Sequence, residues 1–202
     1  MKLYMQADSG PGPEVVLADT GCWRSLDLES LFQTCFLASH NTCLRGGAPE
    51  PLYQPATSDE PARILYRDDY FRSALHEVAH WCVAGDARRQ LPDYGYWYTP
   101  DGRDAAQQRE FEKVEVLPQA LELIFCAACR HPFSVSADNL EGTDDRSSAF
   151  DQAVQARARQ LLKQGLPPRP AIWTLSLAKA YRNAHAIDLE WLLEVCPPPP
   201  HM

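Results

Sequence analysis

His76-Glu77-Val78-Ala79-His80 is an H-E-x-x-H run. Two histidines four apart lie one turn apart on the same face of a helix, so both imidazoles can reach one metal ion. Glu77 points to the side, where it can act on a bound water or orient a neighbouring group. The alternative for such a pair is two polar histidines satisfied by core neighbours. The chemistry therefore depends on whether the run is helical and on what faces it.

The flanking residues favour a helix. Asp68 and Asp69 precede Tyr70 and Phe71 and are N-cap candidates, and Gly85 suits a left-handed C-terminal position. Phe71, Leu75, Val78 and Cys82 form an apolar stripe at 100° per residue, with Ser73, His76 and His80 on the opposite side. Trp81 and Ala79 leave little polar surface, so the spacing predicts a helix buried on most sides with its ligands facing a dry pocket.

Two histidines do not complete a catalytic site, which usually takes three protein ligands. Glu110, Glu112, Glu115 and Glu122 are the carboxylates of the next long segment. Glu115 is favoured because it stands just before Pro118-Gln119-Ala120-Leu121, where a buried helix begins or bends. Glu112 and Glu122 share part of that face and remain alternatives. The ordinary fate of any such Glu is a solvated helix surface. With Zn²⁺, Glu77 would serve as general base in a metallopeptidase of the gluzincin type. With Fe²⁺, two His and one carboxylate form the facial triad of non-haem oxygenases. Spacing does not separate the two. A closed, structural metal site in a noncatalytic binding protein is the third reading.

The whole chain bounds these options. Its 202 residues suit one globular domain, and a net charge of −8 disfavours nonspecific nucleic-acid binding. No apolar run approaches the roughly 18 residues of a membrane span. The first residues show no signal-peptide core, so a cytoplasmic location is expected. Seven cysteines, an odd number, fit free thiols in a reducing compartment. Cys126 and Cys129 form a lone C-x-x-C in an apolar, helical context, which favours core cysteines over a metal or redox pair.

Residues 1–25 read as an irregular leader, 26–195 as the metal-binding domain and 196–202 as a Pro-rich tail. Leu28, Leu31, Phe32, Cys35 and Phe36 follow helical spacing, and Gly46-Gly47 is expected to end that segment. Four prolines between Pro49 and Pro61 predict an extended loop, and Arg63-Ile64-Leu65-Tyr66 a short strand. Asp93-Tyr94-Gly95-Tyr96-Trp97-Tyr98 is dense in aromatics. Tyr94, Tyr96, Trp97 and Tyr98 could clasp an alkylammonium group, although core packing competes for some of them. Asp101 could meet a substrate cation, although its place in a Pro100-Asp101-Gly102 turn is already sufficient reason for it. Asp104 is a cap for a helix through Phe111 and Val114. Leu117, Ala120, Leu121, Ile124, Phe125 and Ala128 continue the helical spacing, and Pro118 must start, kink or restart that helix. Further helices are expected around residues 150–162 and 171–181. The sum is a mainly helical α+β domain built around the H-E-x-x-H helix, with short strands.

The run from His76 to Gly85, the aromatic segment 93–98, Pro100-Asp101-Gly102-Arg103, Phe111-Glu112-Lys113-Val114-Glu115, Pro118-Gln119-Ala120-Leu121, Phe133-Ser134-Val135-Ser136 and Asp138-Asn139-Leu140-Glu141-Gly142 together closely resemble the elongation factor P hydroxylase family. The resemblance covers about residues 26–182. It implies a bacterial protein-modifying monooxygenase that hydroxylates the lysine of elongation factor P after that lysine has received a β-lysyl group. Elongation factor P in its lysylated form is then the partner. The implied metal ligands are His76, His80 and Glu115, with Fe²⁺ as the cofactor. Zn²⁺ or another divalent ion can occupy such a site in isolated protein.

Overall fold

The computed structural model describes residues 23–93, 105–136, 144–182 and 184. The chain runs α1 (Ser25–His40), β1 (Thr42–Ala48), β2 (Leu52–Gln54), β3 (Ala62–Arg67), α2 (Phe71–Val83), a 3-10 turn (Arg88–Gln90), α3 (Ala105–Cys129), α4 (Asp144–Gln164) and α5 (Pro168–Arg182). This is the expected mainly helical α+β domain. Leader residues 1–22 and tail residues 196–202 lie outside the described residues. Trp23 and Arg24 are described, and the Trp23 indole N–H donates to the Cys129 carbonyl at 3.0 Å.

Three strands form one small sheet in the order β1-β3-β2. β1 runs parallel to β3, with Leu44 beside Ile64, and β2 runs antiparallel to it. The proline-rich stretch read as a loop therefore contains strand β2. Its prolines flank the strand, which keeps the donors needed for pairing.

The expected stop at Gly46-Gly47 is corrected. The α1 helix ends earlier, at Asn41, which takes φ 47° and so does the work of a C-terminal glycine. Both glycines fall inside β1, where the register slips between Arg45 and Ala48. A Cβ on Gly46 would lie 2.6 Å from the Tyr66 ring and 2.7 Å from the Asp68 carbonyl. That approach lets buried Glu29 of α1 accept from the Gly46 N–H at 2.8 Å, the Tyr66 hydroxyl at 2.9 Å and Arg45 at 3.0 Å. One carboxylate thus ties the first helix to the sheet.

Both expected ends of α2 are also corrected. Tyr70, not Asp68 or Asp69, is the N-cap residue, and no side chain caps it. Asp68 is committed elsewhere: at φ 47° its carbonyl accepts from Gly47 and its N–H donates to Ala48. At the other end Ala84 leaves the helix in an extended conformation, with φ −58° and ψ 123°. The left-handed turn expected at Gly85 is not needed, because arginines satisfy the last carbonyls. Arg169 donates to Trp81 and Ala84 at 2.9 and 2.8 Å, and Arg89 donates to Ala84 at 2.6 Å. Cations there also complement the helix dipole.

α3 passes through Pro118 without interruption. Its second half is almost wholly buried: Leu121, Ile124, Phe125 and Ala128 lie in the core with Phe32, Leu75, Val78, Leu162 and Trp173. Cys126 and Cys129 are both buried in that core.

Candidate metal centre

α2 buries Phe71, Ala74, Leu75, Val78, Ala79, Trp81 and Cys82. His76 and His80 are left on the face that meets α3. That helix carries buried polar residues at Glu115, Gln119 and Glu122, spaced four and three apart on one side of an otherwise apolar segment. The two stripes match along their length. Arg72 meets Glu122, His76 meets Glu122 and Glu115, and His80 meets Glu115.

Among the described residues, His76, His80 and Glu115 form a group that could hold a metal ion, with one ligand atom from each lying within 4.8 Å of the others. The Nε2 atoms of His76 and His80 are 3.0 Å apart. Glu115 brings Oε1 to 3.3 Å from His80 Nε2 and Oε2 to 3.7 Å from His76 Nε2. Ligands about 2.1 Å from a common ion stand roughly 3.0 Å apart at a right angle and about 3.4 Å apart at a tetrahedral angle. The observed separations fit that geometry, and the donor set suits Zn²⁺ or Fe²⁺.

Glu122, weighed above as a third ligand, has a different place. Its Oε2 lies 2.8 Å from His76 Nδ1, the ring nitrogen turned away from the group, and its Oε1 accepts from Arg72 Nε at 2.7 Å. Glu112 accepts from Gln108 instead.

The electrostatics favour a cation at this point. Burial works against charge on His76, but the hydrogen bond and charge of Glu122, with Glu77 and Glu115, overcome it and hold its pKa above the usual imidazole range. Burial likewise opposes ionisation of Glu115, yet the His80 hydrogen bond and both histidines bring its pKa down to about 2. Glu122 behaves in the same way: burial raises its pKa, and His76 and Arg72 together bring it below the ordinary value. Glu77 goes upward: burial is the largest cause, and with the smaller repulsion from Glu115 and Glu122 it outweighs the pull of the two histidines.

A cavity of about 560 Å³ opens beside the group. Glu77, His80 and Glu115 line it together with Tyr53, Trp81, Phe111 and Val114, and Asp93, Arg88 and Lys113 also border it. The Glu77 carboxyl group has no hydrogen-bond partner among the described residues. Tyr94, Tyr96, Trp97, Tyr98 and Asp101, read above as substrate-binding, lie outside the described residues, as does Asp104.

Arg72, Gln119 and Ser134 were not singled out by the sequence reading. The signal for the first two was present in spacing: Arg72 stands four residues before His76, and Gln119 stands between Glu115 and Glu122. Ser134 joins through the chain reversal after α3, which no local pattern announces.

A buried H-E-x-x-H helix paired with a carboxylate-bearing helix defines a candidate metal-dependent enzyme. A family model described as EpmC, elongation factor P hydroxylase, matches residues 31–191. The chain is also 43% identical over 164 residues to a Haemophilus influenzae protein named elongation factor P lysine hydroxylase, covering 81% of this chain and 92% of that one. The chain belongs to the elongation factor P hydroxylase family.

Proposed function

We propose that this chain is an iron-dependent monooxygenase that hydroxylates the β-lysylated lysine side chain of elongation factor P. The observation that carries the reading is the convergence of His76, His80 and Glu115 in a chain that matches, over most of both lengths, a relative named for lysine hydroxylation of that factor. The comparisons lend no support to the peptidase alternative. A cytoplasmic setting accords with a substrate that works in translation. Among the described residues no helix is long and apolar enough to cross a membrane.

His76, His80 and Glu115 would hold the ion, and Glu122 would turn the His76 ring toward it. An iron ion bound there would supply the one-electron chemistry that activates dioxygen. In balance, one oxygen atom of O₂ enters a C–H bond of the substrate. The other leaves as water, with two electrons and two protons from an external reductant. The chain's own residues prepare that event. Trp81, Phe111 and Tyr53 shed water from the cavity, and a long alkyl side chain can enter it. Glu77 and Glu115 place carboxyl groups along its lining, where an ammonium group of a lysylated lysine would find counter-charge, while Asp93 on the same lining is paired with Arg88. Tyr94, Tyr96, Trp97 and Tyr98, with Asp101, are proposed to bind the substrate's ammonium groups by cation–π contact and charge.

Mass spectrometry of lysylated elongation factor P tests the reading, after incubation with iron-loaded protein, O₂ and a reductant. The expected result is a gain of one oxygen on the modified lysine, absent with the His76→Ala protein. Backbone cleavage with no added oxygen would overturn it.

A further inference from the structure

The geometry points to Glu122 and Gln119 as positioning residues, which with Arg72 fasten segment 133–136 to two of the candidate metal ligands. The inference rests on the reading that His76, His80 and Glu115 hold a metal.

An imidazole can present only one nitrogen to a given ion, and the hydrogen bond of the other nitrogen decides which. With Nδ1 at 2.8 Å from Glu122 Oε2, that nitrogen is placed to donate, which leaves Nε2, on the side of His80 and Glu115, as the nitrogen that would take a metal. Glu122 cannot turn away easily, because its other oxygen accepts from Arg72 Nε at 2.7 Å. Arg72 is held in turn by segment 133–136. Its Nη1 donates to the Ser134 hydroxyl at 2.9 Å, its Nη2 donates to the Ser134 carbonyl, and its guanidinium lies 5.1 Å from the Phe133 ring centroid.

A second link reaches the same segment. Gln119 pairs with the Ser136 backbone as a strand would: its Oε1 accepts from the Ser136 N–H at 3.0 Å and its Nε2 donates to the Ser136 carbonyl at 2.8 Å. The same Nε2 lies 3.5 Å from Glu115 Oε2. Only an amide does both, since a carboxylate cannot donate to the carbonyl and would face Glu115 as a like charge. Two links of different chemistry therefore run from the segment, one through Arg72 and Glu122 to His76, the other through Gln119 to Glu115. A change in how the ligands are held must be felt at Ser134 and Ser136, and the reverse.

Co²⁺ is the probe, titrated into the full chain against a chromophoric chelator. Glu122→Ala should weaken Co²⁺ binding by about 10–100-fold, the usual effect of losing an outer hydrogen bond to a ligating histidine. Glu122→Gln, which can still accept from Nδ1, should recover part of that loss. Co²⁺ should slow amide exchange at Ser136 in the wild type, and Gln119→Glu should weaken binding by at least about threefold and remove that protection. Should Glu122→Ala not fold, Glu122→Gln and Gln119→Glu decide the matter. Variants that fold and bind Co²⁺ within about twofold of wild type, while His80→Ala does not bind, overturn this inference and leave the metal centre standing. If His80→Ala also binds like wild type, or the wild type does not bind, the metal-centre reading itself falls and the inference with it.

Discussion

His76 Nδ1 lies 2.8 Å from Glu122 Oε2, and the same ring turns Nε2 toward Glu115 Oε2 at 3.7 Å. One histidine is thereby addressed at both nitrogens by two carboxylates two turns apart on α3. The arrangement requires α2 to lie with Arg72 near Glu122 and His80 near Glu115, so the H-E-x-x-H helix and the carboxylate helix are matched along a line rather than at a point. It also separates the roles of the two acids: Glu115 shares the group with both histidines, and Glu122 holds one ring from behind.

Ligand loss and loss of the third motif residue should therefore have different signatures. His76→Ala or His80→Ala should lower retained metal by more than about 100-fold and abolish hydroxylation. Glu77→Gln should keep the metal, because Glu77 lies outside the ligand group, and should slow turnover by about 100-fold if it manages a proton. Elemental analysis beside the oxygen-insertion assay checks both. Metal loss in Glu77→Gln equal to that in His80→Ala would place Glu77 among the ligands.

Gly46 offers a test of the fold away from the centre. Ala there puts a methyl against the Tyr66 ring and the Asp68 carbonyl, and both neighbours are fixed by hydrogen bonds of their own. Overpacking of this kind costs about 1–3 kcal/mol. Urea unfolding should show a midpoint shifted to match, while Gly47→Ala, strained at φ 87° but open in space, should be the milder change. Equal midpoints for Gly46→Ala and wild type would refute the close approach.

Much of the centre was legible because its residues repeat at helical spacing. His76 and His80 are one turn apart, and Glu115 precedes a run of buried apolar positions. What spacing could not do was choose between Glu115 and Glu122. Both lie on one face of α3, and only the placement of α2 across it decides which oxygen meets Nε2 and which meets Nδ1. The misread helix ends have a related cause. Local residue types point to Asp68, Asp69 and Gly85 as caps, whereas the α2 carbonyls are satisfied by Arg89 and Arg169. Arg169 comes from a helix far along the chain. Asn41 doing the work of a glycine shifted the end of α1 for the opposite reason, a local substitution between two residue types that tolerate positive φ.

Alkaline pH should loosen the fold through groups buried in neutral form. Burial lifts Cys129 from 9.0 to about 12 and Tyr66 from 10.0 to about 12. The folded state therefore keeps protons that the unfolded chain gives up, and stability must fall as pH rises from about 9 toward 12. Below about pH 8 both groups are protonated in either state, and their contribution is constant. Unfolding midpoints taken between pH 8 and 11 in reductant should decline, with a shallower slope for Cys129→Ala. A flat profile would mean that the thiol is reachable by water.

The cavity predicts a separation of binding from metal affinity. Val114 is 58% exposed, yet it lines the cavity beside Glu115 on the outward side of α3. Trp at this position can fold without disturbing the core, since the Val side chain is not part of it, but its bulk stands where a long side chain must pass. Val114→Trp should leave Co²⁺ affinity and the unfolding midpoint unchanged while lowering kcat/KM for lysylated elongation factor P by about tenfold. The loss should fall mainly on KM, because the obstruction acts on the approach and not on the reacting atoms. A variant with wild-type kcat/KM would show that the lysine side chain reaches His76 and His80 by another route, and the cavity would lose its assignment.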